Sequence, residues 1–346
     1  MMIIGCDFHP SWQQVAWLDS ATGETGETKV VHGGGEARQF YEQLARPALI
    51  GMEATGNSQW FVELVEDLGH EIWIGDAAQI RASYVRKQKA DKRDAAHILK
   101  LVVEGRFPRL WAPDREQRDL RQLVLHRHKL VGIRSRVKNE LQHLCLNKGM
   151  QKKRRLWSRA GMQQLRELPL RPWASCRRAD LLGLLVMLEE QIGKLDRAVE
   201  QAAQEHAPAR LLMTQPGVGP NTALAFALTI GDVGRFARSK QVASYLGLIP
   251  REESSGGRQK LGAITKQGNR LLRSLRVEAA QIAVRCDPEF RREYLHRCHA
   301  KPKAVAKVAA ARKLAVRLYW MLRTQVGYPE IVRIESSPRV PRIGAS

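Results

Sequence analysis

The chain has 346 residues, 57 Lys and Arg against 35 Asp and Glu, a formal charge of +22, and five cysteines. That length buries two or three domains' worth of core. No apolar run reaches the roughly 18 residues of a membrane span, and the odd, widely spaced cysteines argue against a disulfide scaffold. Met1 to Phe8 lacks a basic leading segment and reads as a strand rather than a signal peptide, so the protein is expected in the cytoplasm with reduced thiols.

Taken in chain order, Met2 to Cys6, Gln14 to Leu18 and Thr28 to His32 are short strands separated by turn-forming residues. Glycines 33 to 35 then open a helix from Glu36 to Ala45, followed by a buried strand (Ala48 to Met52), an amphipathic helix (Ser58 to Leu68) and another strand (Glu71 to Gly75). After the basic loop Arg81 to Lys89, the segment Asp91 to Val103 predicts a helix with Ala95, Ile98, Leu99 and Val102 turned inward. The order β-β-β-α-β-α-β-α is that of a ribonuclease-H-like domain, assigned to residues 1–105.

Two prolines in Arg106 to Pro113 mark a linker. Asp114 to Leu146 and Leu181 to Ala202 carry apolar residues at helical spacing and predict an antiparallel hairpin or coiled coil within a connector, residues 106–205. Between Leu120 and Asp180 sixteen Lys and Arg stand against three Asp and Glu, including Lys152-Lys153-Arg154-Arg155, whereas residues 1–80 are net acidic. Such a run is either a solvated face or a grip on a polyanion, and its one-signed length in a basic chain favours nucleic acid. A glycine-rich, mostly helical region and a basic helical segment complete a third domain (206–330), and loose order is expected from Pro329 through the 331–346 tail. The fold class is thus α/β plus all-α.

Four acids stand where phosphodiester chemistry needs them. Asp7 ends the first apolar run, Glu53 ends the run Ala48 to Met52, and Asp91 and Asp94 are three apart at a helix start. The first and fourth strands of a ribonuclease-H-like sheet are neighbours, so Asp7 and Glu53 come together, and one helical face aims Asp91 and Asp94 at the same point. Repulsion among four carboxylates is relieved by Mg²⁺ or Mn²⁺, with two ions about 4 Å apart serving nucleophile and leaving oxygen. The competing reading is surface acids at strand ends and a first-turn Asp pair favouring the helix dipole. Pro216-Gly217-Val218-Gly219 reads either as a helix-hairpin-helix turn holding phosphate on backbone N–H groups or as a tight structural turn. Ser254-Ser255-Gly256-Gly257-Arg258, taken alone, is a polar surface loop.

As an ordered set these residues resemble the DEDD-type insertion-sequence transposases, a family of bridge-RNA-guided recombinases related to the pilin-gene inversion recombinases. The resemblance rests on Ile4 to Asp7, Met52 to Gly56 and Lys89 to Ala95, and downstream on Pro216 to Gly219, Phe236-Ala237, Ala243 to Pro250, Ser255-Gly256, Gly262 and Ile264 to Asn269. It implies a Holliday-junction-resolvase-like (RuvC-like) first domain whose tetrad, here Asp7, Glu53, Asp91 and Asp94, binds Mg²⁺. It also implies a helical transposase domain supplying a serine nucleophile, which falls on Ser255, with Ser254 the less favoured neighbour. Phe8-His9-Pro10 follows the first Asp where the family usually has a small residue and Lys. By this resemblance the partners are double-stranded DNA (element ends and target), a structured guide RNA and further copies of the chain in a dimer or tetramer, with no membrane. Lys152, Lys153, Arg154, Arg155, Gly217, Gly219, Arg258 and Lys266 are the expected nucleic-acid contacts. His9, His97, His126, His128 and His143 are either bases or phosphate-facing and packing residues. Two other readings are a structure-selective Holliday-junction endonuclease using the acids and water, and a non-catalytic nucleic-acid-binding protein.

Overall fold

A computed structural model describes residues 1–84, 91–151, 155–252, 261–265 and 270–336. The chain forms two compact units, Met1–Ala112 and Pro113–Ser346.

The first unit runs β1 (Met2–Phe8), β2 (Trp12–Asp19), β3 (Thr25–Val31), α1 (Glu36–Glu42), β4 (Leu49–Glu53), α2 (Gln59–Asp67), β5 (Glu71–Gly75), α3 (Ala77–Ala82) and α4 (Asp91–Val103). Its sheet order is β3-β2-β1-β4-β5. The first three strands form an antiparallel meander, and β4 and β5 run parallel to β1. This mixed sheet is consistent with the ribonuclease-H-like order expected. Helix α3 is the addition; six residues, capped by the Asp76 side chain accepting from Ala78 and Gln79, are too few for a periodic signal.

Alternation along β1 and β4 splits the unit into two cores. Ile4, Cys6, Ile50 and Met52 bury against Tyr41 of α1 and Phe61 and Val65 of α2. The other face carries Gly5 and Gly51, paired in register across the two strands. A Cβ at Gly5 would overlap the Ala95 carbonyl and the Leu99 backbone, and one at Gly51 would stand 2.5 Å from the Val102 Cγ2 methyl. Helix α4 therefore lies directly on the strands, sealed by Leu49, Ile80, Ile98, Leu101, Val102 and Phe107. The segment read as a linker belongs partly to this unit: Phe107 is buried, the Asp76 N–H donates to the Pro108 carbonyl at 2.9 Å, and the Leu110 N–H to Ile74 at 2.7 Å.

Among the described residues the second unit is helical apart from one small hairpin. It contains α5 (Arg115–Leu146), α6 (Arg159–Glu167), α7 (Pro172–Glu205), α8 (Ala207–Leu212), α9 (Pro220–Ile230), α10 (Ser239–Tyr245), β6 (Pro250–Glu252), β7 (Leu261–Ile264), α11 (Arg270–Cys286), α12 (Pro288–Ala300), α13 (Lys303–Thr324) and α14 (Tyr328–Ser336). Helices α5 and α7 pair antiparallel, with Arg127–Asp196 at 2.6 Å and Lys138–Glu189 at 2.9 Å along the seam. At one end Leu141, Leu144, Leu165, Leu185 and Leu188 form a core shared with α6. At the other, Val124, Val199 and Ala203 join the large core of α8 to α14. Helix α7 begins nine residues before the expected Leu181, with Pro172 in its first turn, where its missing N–H has no helical partner to lose. Among the described residues no helix is long and apolar enough to cross a membrane.

Of the tail expected to be loosely ordered from Pro329, the described part is helical; residues 337–346 lie outside the described residues. Helix α14 continues to Ser336, with Ile331 fully buried; its anchor is polar and was not visible as periodicity. Asp287 caps α12 by accepting from the Phe290 N–H at 3.0 Å and pairs at 3.1 Å with Arg317, both side chains almost wholly buried. Burial pushes the Asp287 carboxyl up, but the Phe290 N–H, the Tyr328 hydroxyl and the Arg317 guanidinium outweigh it and hold it below the usual carboxylate range. Burial, reinforced by the hydrogen bond to Asp287, pushes the Tyr328 phenol up to about 12.

Two stability predictions follow from these contacts. Gly5→Ala destabilises the first unit by about 3 kcal/mol, the upper range for overpacking, read as a lowered urea midpoint with lost hydrogen-exchange protection in α4. Arg317→Ala strands a buried carboxylate and costs about 3–5 kcal/mol. Because the folded Asp287 pKa is depressed, its contribution is complete above the unfolded value of roughly 3.9 and is lost as pH falls through the folded pKa. The variant's deficit in urea midpoint is therefore full at pH 7 and shrinks on acidification below about pH 4.

Candidate active site

Asp7 and Glu53 each follow the in-register pair Cys6 and Met52, so they are next in line at the carboxyl ends of adjacent parallel strands. Strands that pair lie about 4.8 Å apart. By alternation both acids share the face of Gly5 and Gly51, the face α4 covers. Ala95 of α4 rests against Gly5, so Asp91 and Asp94, at the start of the same helix, stand one turn or less beyond that contact. Asp94 is half-buried; Asp91 begins the helix, and its side chain lies outside the described residues.

Tyr84, just after α3, lies within reach of the charge of three of these acids. Its hydroxyl donates to Asp94 Oδ1 at 2.7 Å. Its phenol is driven well above the ordinary tyrosine range, by burial first, then by the bond to Asp94 and the negative charges of Asp94, Asp7 and Glu53. Three carboxylates thus act on one phenol. Each also has its own partner: Asp7 Oδ2 lies 3.1 Å from His9 Nε2, and Glu53 Oε1 accepts from Arg81 at 3.3 Å. Among the described residues, no three His, Cys, Asp or Glu side chains stand close enough to hold an ion together, a set that leaves out Asp91. The donor chemistry nevertheless fits a hard divalent cation: all are carboxylate oxygens, with no thiol or imidazole required.

Sequence reasoning missed Arg81, Ser83 and Tyr84, which it placed in a basic loop. No spacing rule marks them, because they meet the acids only through the fold. His97 is fixed rather than free: its Nε2 is 2.7 Å from Ser83 Oγ, and its ring stacks on Tyr84 with centroids 4.0 Å apart. Burial holds its pKa below the ordinary histidine value. His9 stacks on Trp12 at 4.1 Å.

Downstream, Lys152, Lys153, Arg154, Ser254, Ser255, Arg258 and Lys266 lie outside the described residues. Arg155 is exposed ahead of α6. Ser255 belongs to the sequence joining β6 to β7, strands that pair Pro250 with Ile264 and Glu252 with Leu261. The two glycines of the 216–219 turn differ in role. Gly217 has φ +88° and packs against α11, where a Cβ would come 2.5 Å from the Ala283 nitrogen and 2.8 Å from the Ala279 carbonyl. Gly219 is exposed and caps α9, with Pro220 in its first turn.

A family model described as a transposase, of the DEDD type of IS110, matches residues 4–148, the span holding all four acids. The model of the transposase IS116/IS110/IS902 family matches residues 209–295, which include the 216–219 turn and Ser255. A probable family 20 transposase of Pseudomonas aeruginosa is 32% identical, the match covering 83% of this chain and 87% of that protein. The chain belongs to the IS110 family of DEDD transposases. Such a transposase is an enzyme that cleaves and transfers DNA strands, so DNA is its substrate. The transposase for insertion sequence element IS1111A of Coxiella burnetii is 26% identical over 82% of this chain and 78% of its own length. The transposase for insertion sequence element IS1328 of Yersinia enterocolitica is 27% identical over 81% and 84%.

Proposed function

We propose that this transposase excises and inserts an insertion-sequence element by Mg²⁺-dependent, serine-mediated cleavage and rejoining of DNA, with a structured RNA choosing the sequences. What supports the reading is the register that sets Asp7 and Glu53 at adjacent strand ends, together with Tyr84, which bonds to Asp94 and whose phenol is raised by the charges of all three acids. Asp7, Glu53, Asp91 and Asp94 would hold the divalent ion. When bound, Mg²⁺ or Mn²⁺ supplies Lewis-acid stabilisation of charge on the scissile phosphate and lowers the pKa of an attacking hydroxyl.

Ser255 is the nucleophile in this reading. Its Oγ forms the new bond to phosphorus, its proton passes to a base, and the DNA 3′ oxygen leaves as a hydroxyl. The phosphoserine link keeps the phosphodiester's bond energy, so rejoining by the 3′ hydroxyl needs no ATP. The labour divides as a resolvase-like domain (1–105), a basic helical connector (106–205) and a serine-bearing domain (206–330). Lys152, Lys153, Arg154 and Arg155, with Gly219, Arg258 and Lys266, hold nucleic-acid backbone while base pairing to the RNA selects sequence. The chain acts as a homo-oligomer, a dimer or tetramer, and exchange of four strands between two duplexes suits the tetramer.

Ser255→Ala is expected to abolish the covalent protein–DNA species seen on denaturing gels, and Asp7→Asn to abolish cleavage while DNA binding is kept. Single-turnover cleavage by Ser255→Ala that leaves an unlinked 5′ phosphate would establish the water-using endonuclease instead. Neutralising Lys152 to Arg155 is expected to flatten the dependence of log K on log salt by roughly 0.9 per lost contact to duplex phosphate, measured by fluorescence anisotropy between 50 and 200 mM salt. An unchanged slope would remove that segment from the interface.

A further inference from the structure

The contacts around Asp94 form a closed chain. The Ser83 hydroxyl donates its one proton to the Ile80 carbonyl at 2.7 Å, at the end of α3. Its oxygen can then only accept from His97, 2.7 Å away, which places the imidazole proton on Nε2. The imidazole so fixed stacks on the Tyr84 ring, centroids 4.0 Å apart and planes 28° from parallel. The Tyr84 hydroxyl in turn donates to Asp94 Oδ1 at 2.7 Å. His97 and Asp94 are three residues apart on α4, so the chain ties the end of α3 to the first turns of α4 at the acid that matters.

We infer that Tyr84 is a positioning residue of the catalytic site: clamped by His97 and Ser83, it fixes the rotamer of the Asp94 carboxylate so that the acid is preset for the divalent ion. The role rests on the reading of Asp94 as a ligand of that ion. Physically, a carboxylate at a helix start swings among rotamers, and a phenol bonded to one oxygen removes that freedom before the ion arrives. Partners of this kind behind a metal ligand are typically worth 10–100-fold in metal affinity. A phenol suits the task better than a cation, because it orients the carboxylate without neutralising it. Arg81, bonded to Glu53, does neutralise, and an arriving ion has to displace it.

The test uses the full-length protein and Mn²⁺ alone, its binding followed by electron paramagnetic resonance of the free ion. Magnesium titrations of single-turnover DNA cleavage run in parallel. Tyr84→Phe keeps the ring stacked on His97 and loses only the hydroxyl. It is expected to weaken Mn²⁺ binding about tenfold and to raise the half-saturating Mg²⁺ concentration by the same factor, with the cleavage rate at saturating Mg²⁺ recovering to within about threefold. Ser83→Ala, which loosens the clamp but leaves the phenol, is expected to shift both readings in the same direction by about two- to threefold. Unchanged Mn²⁺ affinity and Mg²⁺ half-saturation in Tyr84→Phe, alongside loss of Mn²⁺ binding in Asp94→Asn, would overturn the positioning role alone. Unchanged Mn²⁺ binding in Asp94→Asn would overturn the ligand reading beneath it. A Tyr84→Phe rate that falls with no change in either metal reading would likewise reject positioning.

Discussion

Everything at the acidic site depends on how closely α4 approaches the sheet. Helices normally pack on sheets across two layers of side chains, about 10 Å from axis to plane. Here Gly5 and Gly51 face each other across β1 and β4 and remove one of those layers. The helix backbone at Ala95 and Leu99 rests on the strand itself. At that range the charges of a helix-borne carboxylate and two strand-borne carboxylates all act on one phenol, that of Tyr84. The same two residues that leave holes in a strand's hydrophobic pattern therefore set the reach of Asp94.

That geometry concentrates negative charge, and the surrounding residues regulate it in two ways. His9 and Arg81 stand against Asp7 and Glu53 with contacts that an ion can displace. Tyr84 works at the half-buried side with a neutral hydroxyl. The result is a site whose acids are kept apart from one another by ordinary partners while remaining within one neighbourhood. In a chain of net charge +22, such carboxylates stand out against their own protein more sharply than they would in an acidic one.

The sheet was legible because its strands are short apolar runs bounded by turn residues, and the helix covering it because Asp91 to Val103 repeats apolar residues at helical spacing from Ala95 onward. The neighbouring placement of Asp7 and Glu53 followed from strand order alone. Contacts that depend on tertiary approach were not legible: Tyr84 on Asp94, Ser83 on His97, and the capping of α12 by Asp287, which holds α14 in place through Tyr328. The linker read over Arg106 to Pro113 on its two prolines holds the boundary between the units at Ala112 and Pro113, yet Phe107 is buried and Leu110 bonds to β5. The β6–β7 hairpin, too brief to show alternation, hid inside a region whose composition reads as helical.

The antiparallel pair α5 and α7 has an implication of scale. Helix α5 holds 32 residues and α7 holds 34. At 1.5 Å per residue that is roughly 50 Å of rod, comparable to about 14 base pairs of duplex at 3.4 Å each. Because Leu141 and Leu188 lock one end while Val124 and Val199 are sunk in the large core at the other, the rod is anchored at both ends. A strut fixed in this way works as a ruler: its length is set by residue count, and an insertion or deletion in one helix would shift every later ion pair along the seam out of register with its partner.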